Sequence, residues 1–179
     1  YLMLKGKTQY TNGENKMALY NDFNTAKTYG KKGETAVSAL LTQAGFEVSN
    51  VSTNPTYYHR GDLIAEKDNK KLFIEVKTDS YAAETGNLVV ELITNIAWNK
   101  DGWFRVSTAD KYAFYLEQSN EVILIDAKEL KENYKAAIKR FVKTEQYEMG
   151  QFYKQGLIAL LSINILSNLS SFRRISLNT

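Results

Sequence analysis

The chain has 179 residues, a formal net charge of +3, no cysteine, and 44% apolar against 24% charged residues. That suits one folded domain with its own core, excludes disulfides and thiolate metal sites, and fits a reducing, cytoplasmic setting. The small positive charge permits a polyanionic partner without requiring one. No membrane partner is expected, because the longest apolar run, "LIALLSINIL" at 157–166, falls short of the roughly 20 residues a span needs and the N-terminus lacks a signal-like apolar stretch.

Residues 1–20 are polar and carry Gly6, Asn12, Gly13 and Asn15, the composition of a loose or extended arm; residues 21–179 form a single domain. Met17 opens "MALYNDF", which reads equally as a natural start, with the first sixteen residues then an upstream extension. A helix is predicted over 22–45, interrupted around Gly30–Gly33. It is clearest in "GETAVSALLTQAG", where Val37, Leu40, Leu41 and Ala44 line one face and Gly45 terminates it. "FEVSNVS" alternates as a strand over 46–52, and "TNPTYYHR" is a loop holding the chain's single proline and single histidine.

Strands follow at 62–66 and 71–78, joined by the hairpin turn "KDNK". After the loop "YAAETG", 87–94 is a strand, "NIAWNKDGWF" a long aromatic loop, and 111–126 two strands around a Gln-Ser-Asn turn. "AKELKENYKAAIKRFVK" has helical spacing, with Leu130, Tyr134, Ala137, Ile138 and Phe141 on one face. The tail from 151 holds a further apolar segment, suited to completing the core or to forming an interface, and a basic, serine-rich end. Helix, several strands and helix in that order make a mixed α/β domain.

The unusual stretch is "GDLIAEKDNKKLFIEVKTD" at 61–79. Strand side chains alternate, so Leu72, Ile74 and Val76 share one face while Phe73, Glu75 and Lys77 share the other, with Glu75 and Lys77 about 7 Å apart. Hairpin pairing brings Asp62 near their level. Two carboxylates and an ammonium then meet at one sheet edge, a set that suits a hard cation such as Mg²⁺. The structural alternative is an exposed ion pair of small energetic consequence.

Asp-(x)₁₂-Glu-Val-Lys on two strands after an amphipathic helix resembles the PD-(D/E)XK nuclease superfamily, which has the restriction-endonuclease-like fold. The resemblance covers residues 33 to about 125 and departs from the family pattern where Gly61, not proline, precedes the first acid. It is similar in this to Holliday-junction-resolvase-like members, and "ETGNLVVE" with "GWFRVSTADKYAFYL" is similar to phage-type members. The resemblance implies a central mixed β-sheet flanked by α-helices on both sides, and Mg²⁺-dependent hydrolysis of DNA phosphodiesters, with Mn²⁺ substituting. It implies Asp62 and Glu75 as metal ligands, the carbonyl of Val76 completing the shell, and Lys77 as the catalytic lysine. It also allows a homodimer that cuts two strands. Glu34, at the head of the apolar stripe of the first helix, matches an extra metal-facing glutamate of some members; equally, it is a first-turn glutamate favoured by the helix dipole.

Glu91 lies mid-strand in "LVVEL" and reads as a further ligand or, more simply, as a structural partner for a cation. Lys31, Lys32, His59, Arg60, Lys100 and Arg105, interleaved with Tyr57, Tyr58, Trp98, Trp103 and Phe104, suit phosphate contact and base stacking; the aromatics serve equally as caps of a small core. Alternatives to a nuclease are a non-catalytic nucleic-acid-binding module that keeps the fold and an interaction protein whose Glu-x-Lys is an ion pair.

Overall fold

The computed structural model describes residues 23–148 and 151–178, so the arm expected over 1–20 lies outside the described residues. Helix α1 (Phe23–Gln43) leads to strands β1 (Glu47–Asn50), β2 (Leu63–Lys67) and β3 (Lys70–Asp79), the single-turn helix α2 (Ala82–Thr85) and strands β4 (Asn87–Asn95) and β5 (Lys100–Asp101). Then come helix α3 (Trp103–Val106), strands β6 (Lys111–Leu116) and β7 (Glu121–Asp126), helix α4 (Ala127–Ala137), strands β8 (Ile138–Glu148) and β9 (Gln151–Ser162), helix α5 (Ile163–Leu166) and strand β10 (Arg173–Ser176).

The expected mixed sheet is present, in the order β1-β2-β3-β6-β7-β10, with β3 and β6 parallel and the other pairs antiparallel. The β2–β3 connection is a tight hairpin in which Asp68 (φ 50°) and Asn69 (φ 60°) both take the left-handed conformation of a primed turn. It fixes Lys67 opposite Lys70 and, by alternation, every residue of β3.

Each face of this sheet has its own apolar layer. Ile74, Val76, Ala113 and Val122 pack with Val37 and Leu41 of α1. Tyr112, Phe114, Ile123 and Ile125 face the other way, onto Trp103 and Phe104 of α3 and Leu130 of α4. Helices therefore flank both sides. The second layer is shared with a four-stranded antiparallel sheet, β5-β4-β9-β8, whose Leu88, Val90, Ala159 and Leu161 join the same core. No helix among the described residues is long and apolar enough to cross a membrane.

Three sequence expectations are corrected. First, α1 runs unbroken through Gly30 and Gly33. Gly33 is needed for approach, not for a break: a Cβ there would lie 2.3 Å from Thr78 Oγ1, and the Thr78 hydroxyl donates to the Tyr29 carbonyl at 2.9 Å. Second, the helix predicted through 143 ends at Ala137, and 138–148 is a strand. Pairing with β9 overrides the helical period, so Phe141 is 54% exposed while Val142 is buried. Third, the "aromatic loop" folds into β5 and α3, and Trp103 and Phe104 are core residues.

Candidate active site

Asp62 sits one residue before the Leu63–Ile74 pair of the hairpin. Its N–H donates to the Ile74 carbonyl (2.9 Å), and its own carbonyl accepts from the Val51 N–H (2.8 Å). This places Asp62 level with Glu75. The residue before it must be glycine: Gly61 has φ +125°, and a Cβ there would meet the Ile74 carbonyl oxygen at 2.6 Å. The Asp62 carboxylate turns inward and accepts the Val76 N–H at 2.8 Å.

On β3, Glu75 is buried, and Lys77 Nζ lies 2.5 Å from its Oε1. The Lys77 ammonium also sits over the Trp103 ring, 4.7 Å from its centroid. Burial opposes the Lys77 charge, but Glu75 and Asp62 outweigh it and hold the ammonium pKa above its ordinary value. Burial, the largest influence, pushes the Asp62 carboxyl up to about 6; Lys77 and the Val76 N–H pull it down, and Glu75 and Glu34 add to the rise. Val76 lies between the two charged residues with its side chain packed in the layer beneath α1.

Glu34 arrives from α1 and is only 8% exposed. Its Oε2 accepts from Asn50 Nδ2 (2.7 Å) and lies 3.1 Å from the Ser52 hydroxyl. Those two residues flank Val51, whose backbone is bonded to Asp62, so Glu34 is tied to the strand segment that abuts Asp62. Asn50 and Ser52 were not singled out in the sequence. Their polar alternation at the end of the first strand is visible there, but their target lies on a different element.

Two carboxylates, half-buried Asp62 and buried Glu75, thus gather around the Lys77 ammonium, and buried Glu34 acts on Asp62 from α1. Each has its own partner, and among the described residues no group of three or more carboxylate or histidine side chains is set as a ready metal cage. As a donor set, the oxygens nevertheless fit a hard divalent cation: they are all carboxylate, and three carboxylates carry more negative charge than Lys77 alone balances.

Glu91 is buried on the side of Lys77 and contributes to its raised pKa, but its Oε2 is occupied by the Thr94 hydroxyl (2.9 Å) and the Trp103 N–H (3.4 Å). It anchors the start of α3. Tyr112, level with Glu75 on β6, is also beside the pair. Burial pushes its hydroxyl up to about 12. Seeing it in the sequence would require knowing that β3 and β6 are parallel neighbours.

The predicted nucleic-acid contacts divide. Lys31, His59 and Lys100 are exposed. The His59 ring packs edge-on against Tyr58, and its carbonyl accepts the Thr108 N–H. The Arg60 guanidinium stacks on Phe73, 3.8 Å from the ring centroid, on the same face of β3 as Glu75. Lys32 is paired with Glu117 at 2.8 Å and Arg105 with Asp101 at 2.9 Å. Of the aromatics, Tyr58 and Trp98 are strongly exposed; Trp103 and Phe104, buried, have no surface to offer a base, a correction to the sequence reading.

No protein-family model matches the chain, and no curated protein sequence matches it. Among solved structures it is similar to the bacterial homing endonuclease I-Ssp6803I, at 19% identity and a TM-score of 0.44, over 57% of this chain and 65% of that one. The chain therefore spans slightly less than two thirds of that neighbour, and what it does has to be read from the site's own residues.

Proposed function

We propose that this protein is a metal-dependent nuclease of the PD-(D/E)XK type that hydrolyses phosphodiester bonds of DNA. The observation that carries the reading is the meeting of half-buried Asp62 and buried Glu75 at the ammonium of Lys77, at the start of a hairpin and in the middle of a strand, with buried Glu34 acting on Asp62 from α1. Asp62, Glu75 and the Val76 carbonyl, with Glu34 behind them, are the groups that would hold Mg²⁺ or Mn²⁺. Such a cation, when bound, polarises a phosphoryl oxygen and lowers the pKa of water.

The chain's own part centres on Lys77. Released from Glu75, its ammonium orients the attacking water and offsets charge developing on the phosphorane oxygens. Trp103 behind it keeps that ammonium in a partly desolvated setting, where its field is stronger than in water. Arg60 on its Phe73 platform, with Lys31 and Lys100, supplies exposed cations for the DNA backbone, and Tyr58 and Trp98 are the aromatics free to stack on bases.

A second reading, a binding module without catalysis, is favoured by one observation: Glu75 and Lys77 already satisfy each other at 2.5 Å. A panel of labelled duplex, flap, junction and single-stranded DNAs, incubated with Mg²⁺, Mn²⁺ or EDTA, separates the two. The nuclease cuts with metal only. Lys77→Ala then loses about 10²–10³ in rate, the cost typical of one transition-state donor, while DNA binding, spread over several phosphates, is nearly unchanged. Asp62→Ala and Glu75→Ala lose metal binding as well, read by calorimetry. Binding in EDTA with no cleavage under either metal identifies the module instead.

A further inference from the structure

Beside the Glu75–Lys77 pair lies a polar group that the proposed chemistry leaves unused. Tyr112 is level with Glu75 across the parallel β3–β6 pairing, so both side chains stand on the same face of the sheet. Its ring is locked by packing, edge-on to Trp103 with centroids 5.5 Å apart and tilted on Phe104 at 5.8 Å. The residue is 1% exposed; its hydroxyl has the Ser107 hydroxyl as a polar neighbour but no partner at hydrogen-bond distance among the described residues.

A buried hydroxyl without a partner is destabilising, and phenylalanine would fill the same place without that cost. The hydroxyl keeps its proton well above neutral pH and can therefore only gain by donating. Of the charged groups that act on it, Glu75 and Lys77, only Glu75 accepts hydrogen bonds, and one of its oxygens is taken by the Lys77 ammonium in the resting arrangement.

We propose that Tyr112 is a positioning residue for Glu75: when Lys77 leaves Glu75, the Tyr112 hydroxyl donates to the Glu75 carboxylate and fixes its orientation. This rests on the nuclease reading in one respect, that uptake of a divalent cation is what separates Lys77 from Glu75. The hydroxyl is then a donor held in reserve. It is idle while the ion pair is closed and engaged when Glu75 turns to the cation, so that Glu75 is oriented without having to be solvated.

The first test needs no metal. Thermal unfolding is measured for the wild type, Tyr112→Phe, Lys77→Met and the double variant. Lys77→Met imitates the released state by removing the ammonium. In the wild-type background Tyr112→Phe leaves Tm unchanged or raises it, because no bond is lost. In the Lys77→Met background it lowers Tm by at least about 3 °C, the loss of one hydrogen bond to a charged group in a chain of this size. Equal shifts in the two backgrounds overturn the proposal.

The second test reads cation binding of the full chain by calorimetry with Mg²⁺ alone. Tyr112→Phe, with an unchanged circular dichroism spectrum, binds Mg²⁺ about tenfold more weakly than wild type, the low end of what groups that orient metal ligands contribute. Equal affinity overturns the proposal, and this arm also decides it if Lys77→Met fails to fold. A wild-type protein that takes up no Mg²⁺ overturns the nuclease reading instead, and the thermal comparison then decides the role of Tyr112 by itself.

Discussion

Asp62 is the residue where burial and charge conflict most openly. Its carboxyl moves from an ordinary 3.8 to about 6, chiefly through burial and with Glu75 and Glu34 adding to it. A raised folded-state pKa means that the protonated form is favoured in the fold. The stability this gives is fully present below the unfolded pKa and is lost as pH rises through the folded pKa, here between about pH 4 and 6. Asp62→Asn removes that titration. In metal-free buffer, its stability relative to wild type therefore rises by about 2–3 kcal/mol between pH 4 and 7, read from urea unfolding at each pH. Parallel profiles for the two proteins would sink the assignment of this penalty to Asp62. The residues behind it were partly visible in the sequence. Asp62, Glu75 and Lys77 lie in one hairpin, so strand alternation and a two-residue turn suffice to bring them together. Glu34's hydrogen bonds to Asn50 and Ser52, the role of Glu91 at the start of α3 and the position of Tyr112 all join elements distant in sequence, and no local pattern reports them.

Among the elements, the stretch 127–148 shows why boundaries are harder to read than cores. "AAIKRFV" satisfies a helical period and a strand pattern alike. The choice is made by the unpaired edge of β9, where Phe141 pairs with Ala159 and Val142 with Ile158. The start of α4 is fixed differently. Glu129, in its first turn, accepts the N–H and hydroxyl of Ser170 at 2.9 Å each, the Ser171 N–H at 2.9 Å, and the Ser171 hydroxyl. Its carboxyl is drawn down to about 2, the Ser171 hydroxyl being the main cause. This clamp holds the segment that leads into β10, the last strand of the six-stranded sheet. A lowered pKa gives stability that is present above the ordinary value of 4.5 and lost as pH falls toward 2. Glu129→Gln is accordingly expected to speed amide hydrogen exchange of 170–176 at pH 7 without changing exchange in β3 and β6. The wild type should lose the same protection only in strong acid. Unchanged protection of 170–176 in the variant would show that β10 is held by its pairing with β7 and the Arg174–Glu121 bridge alone.

At the scale of the whole molecule, the consequential feature is the second sheet, of which local patterns gave the strand at 87–94 but left β8 as a helix end and β9 as an apolar tail. β8 and β9 are consecutive antiparallel strands, but β9 also pairs with β4 across a large sequence separation, and that pairing had to be seen to be known. The apolar segment expected either to form an interface or to complete the core does the latter: Leu161 and Leu166 are fully buried with Leu88, Tyr112 and Ile125. One apolar layer therefore belongs to both sheets, and the face of β3 that carries Glu75 and Lys77 is supported from behind by residues of the second sheet and α3. Leu161 tests this coupling. It is 0% exposed and paired with Leu88 on one side and Ile138 on the other. Leu161→Ala leaves a cavity that rigid neighbours on two strands cannot close, at a cost of about 2–5 kcal/mol. If the two sheets share one core, that cost falls on both. Circular dichroism, which follows all the strands, and the fluorescence of Trp103 in a Trp98→Phe background, which reports the wall of the candidate site, should then show a single coincident transition, moved by the same amount. Two separated transitions, with the Trp103 signal unmoved by Leu161→Ala, would mean that the six-stranded sheet stands alone and that the site owes nothing to the second one.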